Sequence, residues 1–348
     1  MYVLTNEQRI LFQLLRGESL SSLDDADPGA LFELFRQHRL FPVSGPVREL
    51  LPSRERERWK EVVAERTLHS LKLTAELTEL IHSLRTNKIN AFPLKGPVLA
   101  AALFRDAGQR HFGDIDLYVP ENELSRTFDL LQDRGYTRVY PNPLTERQWK
   151  LYRRYKKDTG LRHPGRRIFL ELHYGIHYHR LLSASSAPLL FEHPVTVRLG
   201  SSEIPAMNPE ALFVYLLFHG AQHQYSRLFW LRDVDACLRR LQPDPAEVLQ
   251  LVDETGLHRL LGISMLLARE FFNSPVPDSY LPFTHSRRVQ RLTDLARRRI
   301  LGGEQPTTGD KIRRHRYLFG LKPGWKYKLA VLVSILQRWR IRTFHGGH

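Results

Sequence analysis

The sequence predicts an α+β protein in which a small mixed β-sheet forms the centre and helical regions flank it on both sides. Apolar residues recur at helical spacing through residues 1–85 and again through 208–272. Between these regions, short apolar segments typical of strands alternate with helical segments. The dinucleotide-binding pattern G-x-G-x-x-G does not occur, and the centre is too short for a doubly wound domain.

The first region, 1–85, is predicted to be helical. One helix ends at Gly17, a second begins near Asp27-Pro28, and a long third helix spans 53–85. The second region, 86–207, contains the predicted sheet. Its elements are a strand at 89–94, a helix at 98–104, a polar loop at 105–111, a strand at 112–119, a helix at 121–134, a strand at 136–140, a polar segment of helix and loop at 141–165, a strand at 167–174 and a hairpin at 195–205.

The third region, 208–275, is predicted to be helical, with breaks near 243–245 and at Gly256. The fourth, 276–348, is predicted to be a linker and a basic tail. Over 311–342, aromatic and aliphatic residues are interleaved with cations. Three interpretations of this tail stay open: a helix packed on the body of the protein, a helix lying on an anionic membrane surface, or a contact to nucleic acid.

The composition indicates a globular cytoplasmic protein. Hydrophobic residues make up 42% of the 348 residues, which is enough for a sizeable core. Cys237 is the single cysteine, so an intramolecular disulfide and a cysteine-rich zinc site are excluded. The N-terminus lacks the uninterrupted apolar core of a signal peptide, and no stretch reaches the roughly 18–20 apolar residues of a membrane span.

The formal net charge of +15 favours polyanionic partners, namely nucleic acid, anionic lipid or nucleotides. A soluble basic protein of biased composition is the alternative interpretation. We therefore expect a cytoplasmic location, with peripheral membrane association as a second expectation.

Two carboxylates define the first candidate site. Side chains alternate along a strand, so Asp114 and Asp116 share one face while Ile115 and Leu117 point into the core. Adjacent carboxylates would repel each other unless a cation lay between them. Mg²⁺ prefers such oxygen ligands and usually completes its shell with phosphates and water. The D-x-D pattern alone is also compatible with a solvated strand face.

A later strand adds a third carboxylate, because Glu171 and His173 share one face of the strand at 167–174. If the two strands are neighbours, Glu171 joins Asp114 and Asp116. Three carboxylates suit a two-metal site for phosphoryl or nucleotidyl transfer.

Upstream residues suit phosphate binding. Lys95-Gly96 ends a strand just before a predicted helix, where glycine permits close backbone approach and the helix N-terminus attracts anions. Lys95 could add a point charge, and Arg110 could hold phosphate oxygens with its guanidinium.

These residues resemble the nucleotidyltransferase superfamily of DNA polymerase β, and most of all a bacterial branch described as uncharacterised nucleotidyltransferase. The resemblance spans about residues 65–275. It implies Asp114 and Asp116 as metal ligands for Mg²⁺ or Mn²⁺, Glu171 as third carboxylate, and Gly96 beside the triphosphate of a nucleotide such as ATP. The matching residues are Leu94-Lys95-Gly96, Arg110, Asp114-Ile115-Asp116-Leu117, Glu171-Leu172-His173, His219, His223, Trp230 and Asp233.

The chain departs from that superfamily at the turn, where Gly96-Pro97 replaces the usual Gly-Ser. Pro97 has neither the serine hydroxyl nor a backbone N–H, so Lys95 or Arg110 would have to supply the phosphate contact.

Several histidines are candidates for supporting roles. His173 is the one expected nearest the metals. His219 and His223 lie one helical turn apart, but Gly220 replaces the glutamate of a metalloprotease. They are either a packed pair or a face that closes over the site, with Asp233 as a group that could orient one of them.

Three functions are compatible with these features. The first is nucleotidyl transfer from an NTP to an unidentified acceptor, which could be protein, RNA or a small molecule. The second is a non-catalytic protein on the same scaffold that binds RNA or an anionic membrane. The third is a glycosyltransferase that uses D-x-D, although the helical region before the motif argues against it.

Overall fold

The computed structural model describes residues 3–23, 25–141, 144–176, 188–302 and 308–343. The chain divides into two compact units. The helical unit comprises Met1–Leu68, Gly108–His111 and Pro209–Lys322. The sheet unit comprises His69–Ala107, Phe112–Asn208 and Pro323–His348. The four regions predicted from the sequence stay a prediction.

The elements are numbered in chain order. The α-helices are α1 (Asn6–Leu15), α2 (Pro28–His38), α3 (Gly45–Leu50), α4 (Ser53–Thr86), α5 (Pro97–Phe104), α6 (Leu124–Asp133), α7 (Glu146–Tyr155), α8 (Pro209–Gln222), α9 (Leu228–Ala236), α10 (Pro245–Thr255), α11 (His258–Phe272), α12 (Arg287–Gly302), α13 (Thr308–Leu321) and α14 (Trp325–Thr343). The strands are β1 (Phe92–Pro93), β2 (Ile115–Tyr118), β3 (Thr137–Tyr140), β4 (Asp158–His163), β5 (Ile168–His173), β6 (Val195–Leu199) and β7 (Ser202–Ala206).

Several helix ends of the helical unit carry capping residues, and those at Asp27 and Gly256 were predicted. At α1, the Thr5 hydroxyl accepts from the backbone N–H of Gln8, and the Gln8 side chain accepts from the N–H of Thr5. This reciprocal cap satisfies two N–H groups that a helix start leaves unpaired. Asp27 caps α2 in front of Pro28, and Gly256 ends α10 in a left-handed conformation.

The core of the helical unit is built around α8, whose residues from Ala211 to Gln222 are buried. A helix that is apolar on every side must be enclosed, and α9, α10 and α11 pack against it. Residues 278–284, which the sequence predicts as part of a linker, form a 3₁₀ segment whose Tyr280 is fully buried.

The sheet unit contains a five-stranded sheet in the order β1-β2-β5-β4-β3. Strands β2 and β5 are parallel, and the other pairs are antiparallel, so the sheet is mixed as predicted. Apolar residues of β2 and β5 point into one core together with the second half of α4. That core includes Leu77, Leu80, Leu84, Ile115, Leu117, Leu170 and Leu172.

The sheet departs from the prediction in one strand and in the strand lengths. β4 lies inside 141–165, where the sequence predicts only helix and loop, so that part of the prediction is wrong. The reason is that β4 contains a single large apolar residue, Leu161, and shows no apolar alternation. β1 and β2 are also shorter than predicted, and Asp114 lies one residue before β2. The hairpin of β6 and β7 confirms the prediction.

Among the described residues, we find no helix with both the length and the apolarity that crossing a bilayer requires.

Candidate functional site

The candidate site lies where β2 and β5 run side by side in the sheet unit. The parallel register places Asp116 opposite Glu171, as the alternation argument predicts for neighbouring strands. Asp116 is 2% exposed, whereas Glu171 is only partly buried. The two carboxylates therefore form a pair with one deep member and one member that solvent reaches.

His173 completes a compact group with these two carboxylates. One ligand atom from each of Asp116, Glu171 and His173 lies within 4.8 Å of the others, a spacing that suits a shared cation. Nε2 of His173 is 2.9 Å from Oδ1 of Asp116 and 3.4 Å from Oε2 of Glu171. Because an ionised carboxylate only accepts hydrogen bonds, Nε2 of His173 carries a hydrogen and donates a hydrogen bond to Asp116.

Lys95 reaches the same carboxylate from the turn before α5. Its Nζ is 2.9 Å from Oδ1 of Asp116. The next residue, Gly96, has φ +66°, a conformation that side chains rarely adopt. A Cβ there would lie 3.5 Å from the backbone oxygen of Asp114. The turn thus places the Lys95 ammonium beside Asp116 and the backbone of Gly96 beside the backbone of Asp114.

The charges around Asp116 hold it ionised. Burial alone would raise the pKa of this carboxyl, but Lys95 and the hydrogen bond from His173 together hold its pKa well below the usual range. Asp116 is therefore a buried carboxylate anion, the form in which a carboxylate can bind a metal ion.

The other nitrogen of the His173 ring, Nδ1, faces Lys157, just before β4, and Asp158, at the start of β4. Lys157 lies with its Nζ 3.1 Å from Nδ1 of His173 and forms an ion pair with Asp158. Oδ2 of Asp158 is itself 4.0 Å from Nδ1 of His173. Burial and Lys157 lower the pKa of His173, but its hydrogen bonds to Asp116 and Glu171 outweigh them, and the pKa is raised.

Glu171 has a separate partner on its outer side. The hydroxyl of Tyr140 donates to Oε1 of Glu171 over 3.2 Å. Asp114 is partly buried and does not belong to the metal-competent group found among the described residues. Its assignment as a metal ligand stays a prediction.

In the helical unit, the structure pairs Arg110 with Asp233. Nε of Arg110 is 2.9 Å from Oδ1 of Asp233, and Nη2 is 2.8 Å from Oδ2, so the guanidinium holds both carboxylate oxygens. Both residues are buried. The sequence assigns Arg110 to phosphate binding, and that role stays a prediction.

His219, which is buried near the end of α8, packs against His223, which follows the helix. Their ring centroids are 5.1 Å apart, and His223 stacks on Trp230 at 4.7 Å. Gly220 lies between them because a Cβ would come within 2.0 Å of the ring of Tyr225. Packing therefore explains the glycine at this position, and the supporting roles of His219, His223 and Asp233 in catalysis stay predictions.

Sequence reasoning missed three contacts of the site, which are made by Tyr140, Lys157 and Asp158. Asp158 is the first residue of β4, which was not predicted, and Lys157 immediately precedes it. A signal was present, because Pro164-Gly165 is a turn dipeptide between two segments of equal length that pair in the structure.

The chain belongs to the uncharacterised nucleotidyltransferase family, whose model matches residues 24–273. No curated protein matches the chain. One solved structure that resembles it is the crystal structure of an antigenic nucleotidyltransferase-like protein from Paracoccidioides brasiliensis. The two are 15% identical with a TM-score of 0.37, over 61% of this chain and 97% of the other. A correspondence this loose transfers no feature of that protein to this chain.

Proposed function

We propose that this chain transfers a nucleoside monophosphate from an NTP to an acceptor, and that it does so as a member of the DNA polymerase β-type superfamily. The observation that carries the proposal is the pairing of Asp116 with Glu171 on parallel strands beside the Lys95-Gly96 turn. Membership of a nucleotidyltransferase family supports it. The acceptor is a protein, an RNA or a small molecule.

The residues of the site fit a divalent cation. Two carboxylates favour Mg²⁺ or Mn²⁺, and the imidazole of His173 is compatible with Mn²⁺. Asp116 and Glu171 would hold the metal, with Asp114 as a further carboxylate at the edge of β2. When bound there, such a metal would supply positive charge to the triphosphate and to the attacking hydroxyl.

The protein's own groups would position the substrate. Lys95 would move from Asp116 to a phosphate oxygen, which the flexible stem of a lysine side chain allows. Gly96 would lie beside the triphosphate at the start of α5. Arg110 would contact phosphate while it holds Asp233. His219, His223 and Asp233 would support the site.

The test is label transfer from NTPs in the presence of a cell lysate and Mg²⁺ or Mn²⁺. Nucleotidyl transfer moves label from the α-phosphate to an acceptor, whereas a phosphoryl transfer would move label from the γ-phosphate. We expect α-label on the acceptor with the wild-type protein and none with Asp116→Asn. The matched control is Asp133→Asn, because Asp133 is an exposed carboxylate at the end of α6. Equal α-label transfer by the wild type and Asp116→Asn would reject the proposal.

A second candidate is a non-catalytic nucleotide- or RNA-binding protein on this scaffold. The ion pair between Lys95 and Asp116 favours this second candidate, because Lys95 already neutralises the Asp116 carboxylate without a metal. Pro97 also favours it, because proline provides no backbone N–H for a phosphate. Calorimetry separates the two candidates, since metal-dependent NTP binding supports the first. A nucleotide-sugar transferase is disfavoured by the family to which the chain belongs.

A further inference from the structure

The last helix, α14, has an apolar face that is open to solvent. Trp325, Leu329, Leu332, Val333 and Leu336 follow each other at helical spacing and therefore share one side of the helix. Trp325 is 69% exposed and Leu336 is 58% exposed. In the part of the chain that the structure describes, ten large hydrophobic side chains are exposed, and five of them form this outer face of α14.

The opposite side of α14 is already occupied by the protein. Tyr327, Val331 and Ser334 are buried, and α14 packs against α7. The helix is thus fixed to the sheet unit by one apolar side, and the outer face is not needed to hold it. A contiguous apolar face that the described part of the chain leaves exposed marks an interaction surface.

The charges at the edges of the outer face identify its partner. At 100° per residue, Lys326 lies on one edge of the apolar face and Lys328 lies on the other, and both are exposed. The sequence of α14 contains five basic residues and no acidic one. An apolar centre with cationic edges and a tryptophan matches the interface of an anionic bilayer, where lysines contact lipid phosphates and apolar side chains enter the acyl boundary.

We propose that the outer face of α14 docks the protein on an anionic membrane surface, with the helix axis parallel to that surface. Trp325, Leu329 and Leu336 insert below the lipid phosphates, and Lys326 and Lys328 contact them. A second copy of the chain fits less well, because a symmetric contact would bring the basic edges together. Nucleic acid would pair with the lysines but would leave the leucines and valine beside a phosphate backbone. The proposal does not depend on the proposed nucleotidyl transfer.

The test is co-sedimentation of the full chain with vesicles of phosphatidylcholine alone and of phosphatidylcholine with about one third phosphatidylglycerol. We expect binding to the anionic vesicles and binding at least tenfold weaker to the neutral ones. Leu329→Gln with Leu336→Gln should weaken binding to the anionic vesicles at least about tenfold, because both side chains leave the lipid. The matched control is Leu68→Gln with Leu71→Gln, which alters two exposed leucines of α4 and should leave binding unchanged.

Charge reversal gives an independent reading. Lys326→Glu with Lys328→Glu should weaken anionic-vesicle binding at least about tenfold, whereas Lys72→Glu with Lys88→Glu, at exposed positions elsewhere, should have a much smaller effect. On vesicle addition the fluorescence of Trp325 should shift to the blue, and Trp325→Phe should remove that shift.

Three outcomes would overturn the proposal. The first is equal binding to neutral and anionic vesicles, or binding to neither. The second is a concentration-dependent dimer that the leucine pair abolishes, which would assign the face to a second copy. The third is RNA or DNA binding that the lysine pair weakens and the leucine pair does not, without vesicle binding. Because the altered side chains are exposed, all variants should keep the wild-type circular dichroism spectrum.

Discussion

Each unit of this protein buries a carboxylate against a cation, but the two pairs are built differently. Asp233 of the helical unit is held at both oxygens by the guanidinium of Arg110, and these side chains are 2% and 4% exposed. Asp116 of the sheet unit is as deeply buried, yet Lys95, which pairs with it through one ammonium nitrogen, is 16% exposed. The first pair is closed, and the second can exchange its partner.

This difference follows from the chemistry of the two cations. A guanidinium offers a planar set of N–H groups that matches a carboxylate. Its removal therefore costs the carboxylate two directed hydrogen bonds as well as the positive charge. An ammonium on a flexible stem is a point charge that can move to another anion. We infer that the Arg110–Asp233 pair stabilises its unit, while the Lys95–Asp116 pair holds a site ready for a metal and a phosphate.

The largest expected effect comes from breaking the closed pair. Asp233→Asn leaves the Arg110 guanidinium buried without its counterion, and we expect the free energy of unfolding to fall by about 3–5 kcal/mol. Urea denaturation followed by circular dichroism measures this change. The double variant Arg110→Met with Asp233→Leu should recover most of the loss, because it removes both charges. A loss below about 1 kcal/mol in Asp233→Asn would contradict a stabilising role for this pair.

Metal binding should stabilise the protein through the open pair. If Mn²⁺ binds the folded protein at Asp116, Glu171 and His173, a Mn²⁺ concentration a hundredfold above Kd adds about 2.7 kcal/mol to the free energy of unfolding. The rise of the thermal midpoint with Mn²⁺, and its reversal by EDTA, measure this effect. Asp116→Asn should lose the response, while Asp133→Asn should keep it. An unchanged response in Asp116→Asn would place the metal elsewhere.

The sequence was sufficient to predict the faces of the two site strands, because alternation assigns each residue of β2 and β5 to one side. It also predicted that Glu171 would join Asp116 if these strands were neighbours, and the register places the two residues opposite each other. The D-x-D pattern gave Asp114 and Asp116 equal weight. The structure distinguishes them, because β2 begins only at Ile115.

The partners of the site residues could not be predicted in the same way. Asp158 lies on a strand whose polar residues carry no alternation, and its position depends on pairing with β5. The partnership of Arg110 with Asp233 joins residues 123 positions apart. Local patterns contain no information about such contacts, which depend on how helices and strands pack in three dimensions.

Buried histidines extend the comparison of the two units. His173 of the sheet unit has carboxylate partners, and its pKa is raised. His38 of the helical unit accepts a hydrogen bond from the N–H of Leu228, and burial together with the nearby Arg227 lowers its pKa to about 3. The unfolded chain therefore takes up a proton at His38 below about pH 6.5. In the folded protein His38 stays neutral until the pH falls to about 3.

The free energy of unfolding should consequently decrease as the pH is lowered from about 6.5 to about 3. Between pH 7 and pH 5 we expect His38 to lower the free energy of unfolding by about 2 kcal/mol. His38→Asn keeps an acceptor for Leu228 but cannot take up the proton, so its stability should fall less over the same interval. Urea denaturation of both proteins at pH 7 and pH 5 gives the difference. Parallel pH profiles for the two proteins would show that His38 is not responsible.

The smallest expected effect concerns Tyr140, which positions Glu171 in the open site. Its ring lies over Gly160, where a Cβ would come within 2.1 Å of it, and its hydroxyl donates to Oε1 of Glu171. In Tyr140→Phe the ring keeps its place, but one hydrogen bond worth about 1 kcal/mol is lost, so kcat for nucleotidyl transfer should fall about three- to tenfold. The KM for NTP should not change, because Glu171 is proposed to hold the metal and not the nucleotide itself.

Tyr136→Phe removes a similar hydroxyl, bonded to Glu76 in the same unit, and should lower stability while leaving kcat unchanged. If both variants lowered kcat equally, the effect of Tyr140→Phe would come from a general destabilisation of the sheet and not from the hydrogen bond to Glu171. A selective loss would show that the open pair depends on Glu171 being held at its outer oxygen, as the closed pair depends on both oxygens of Asp233.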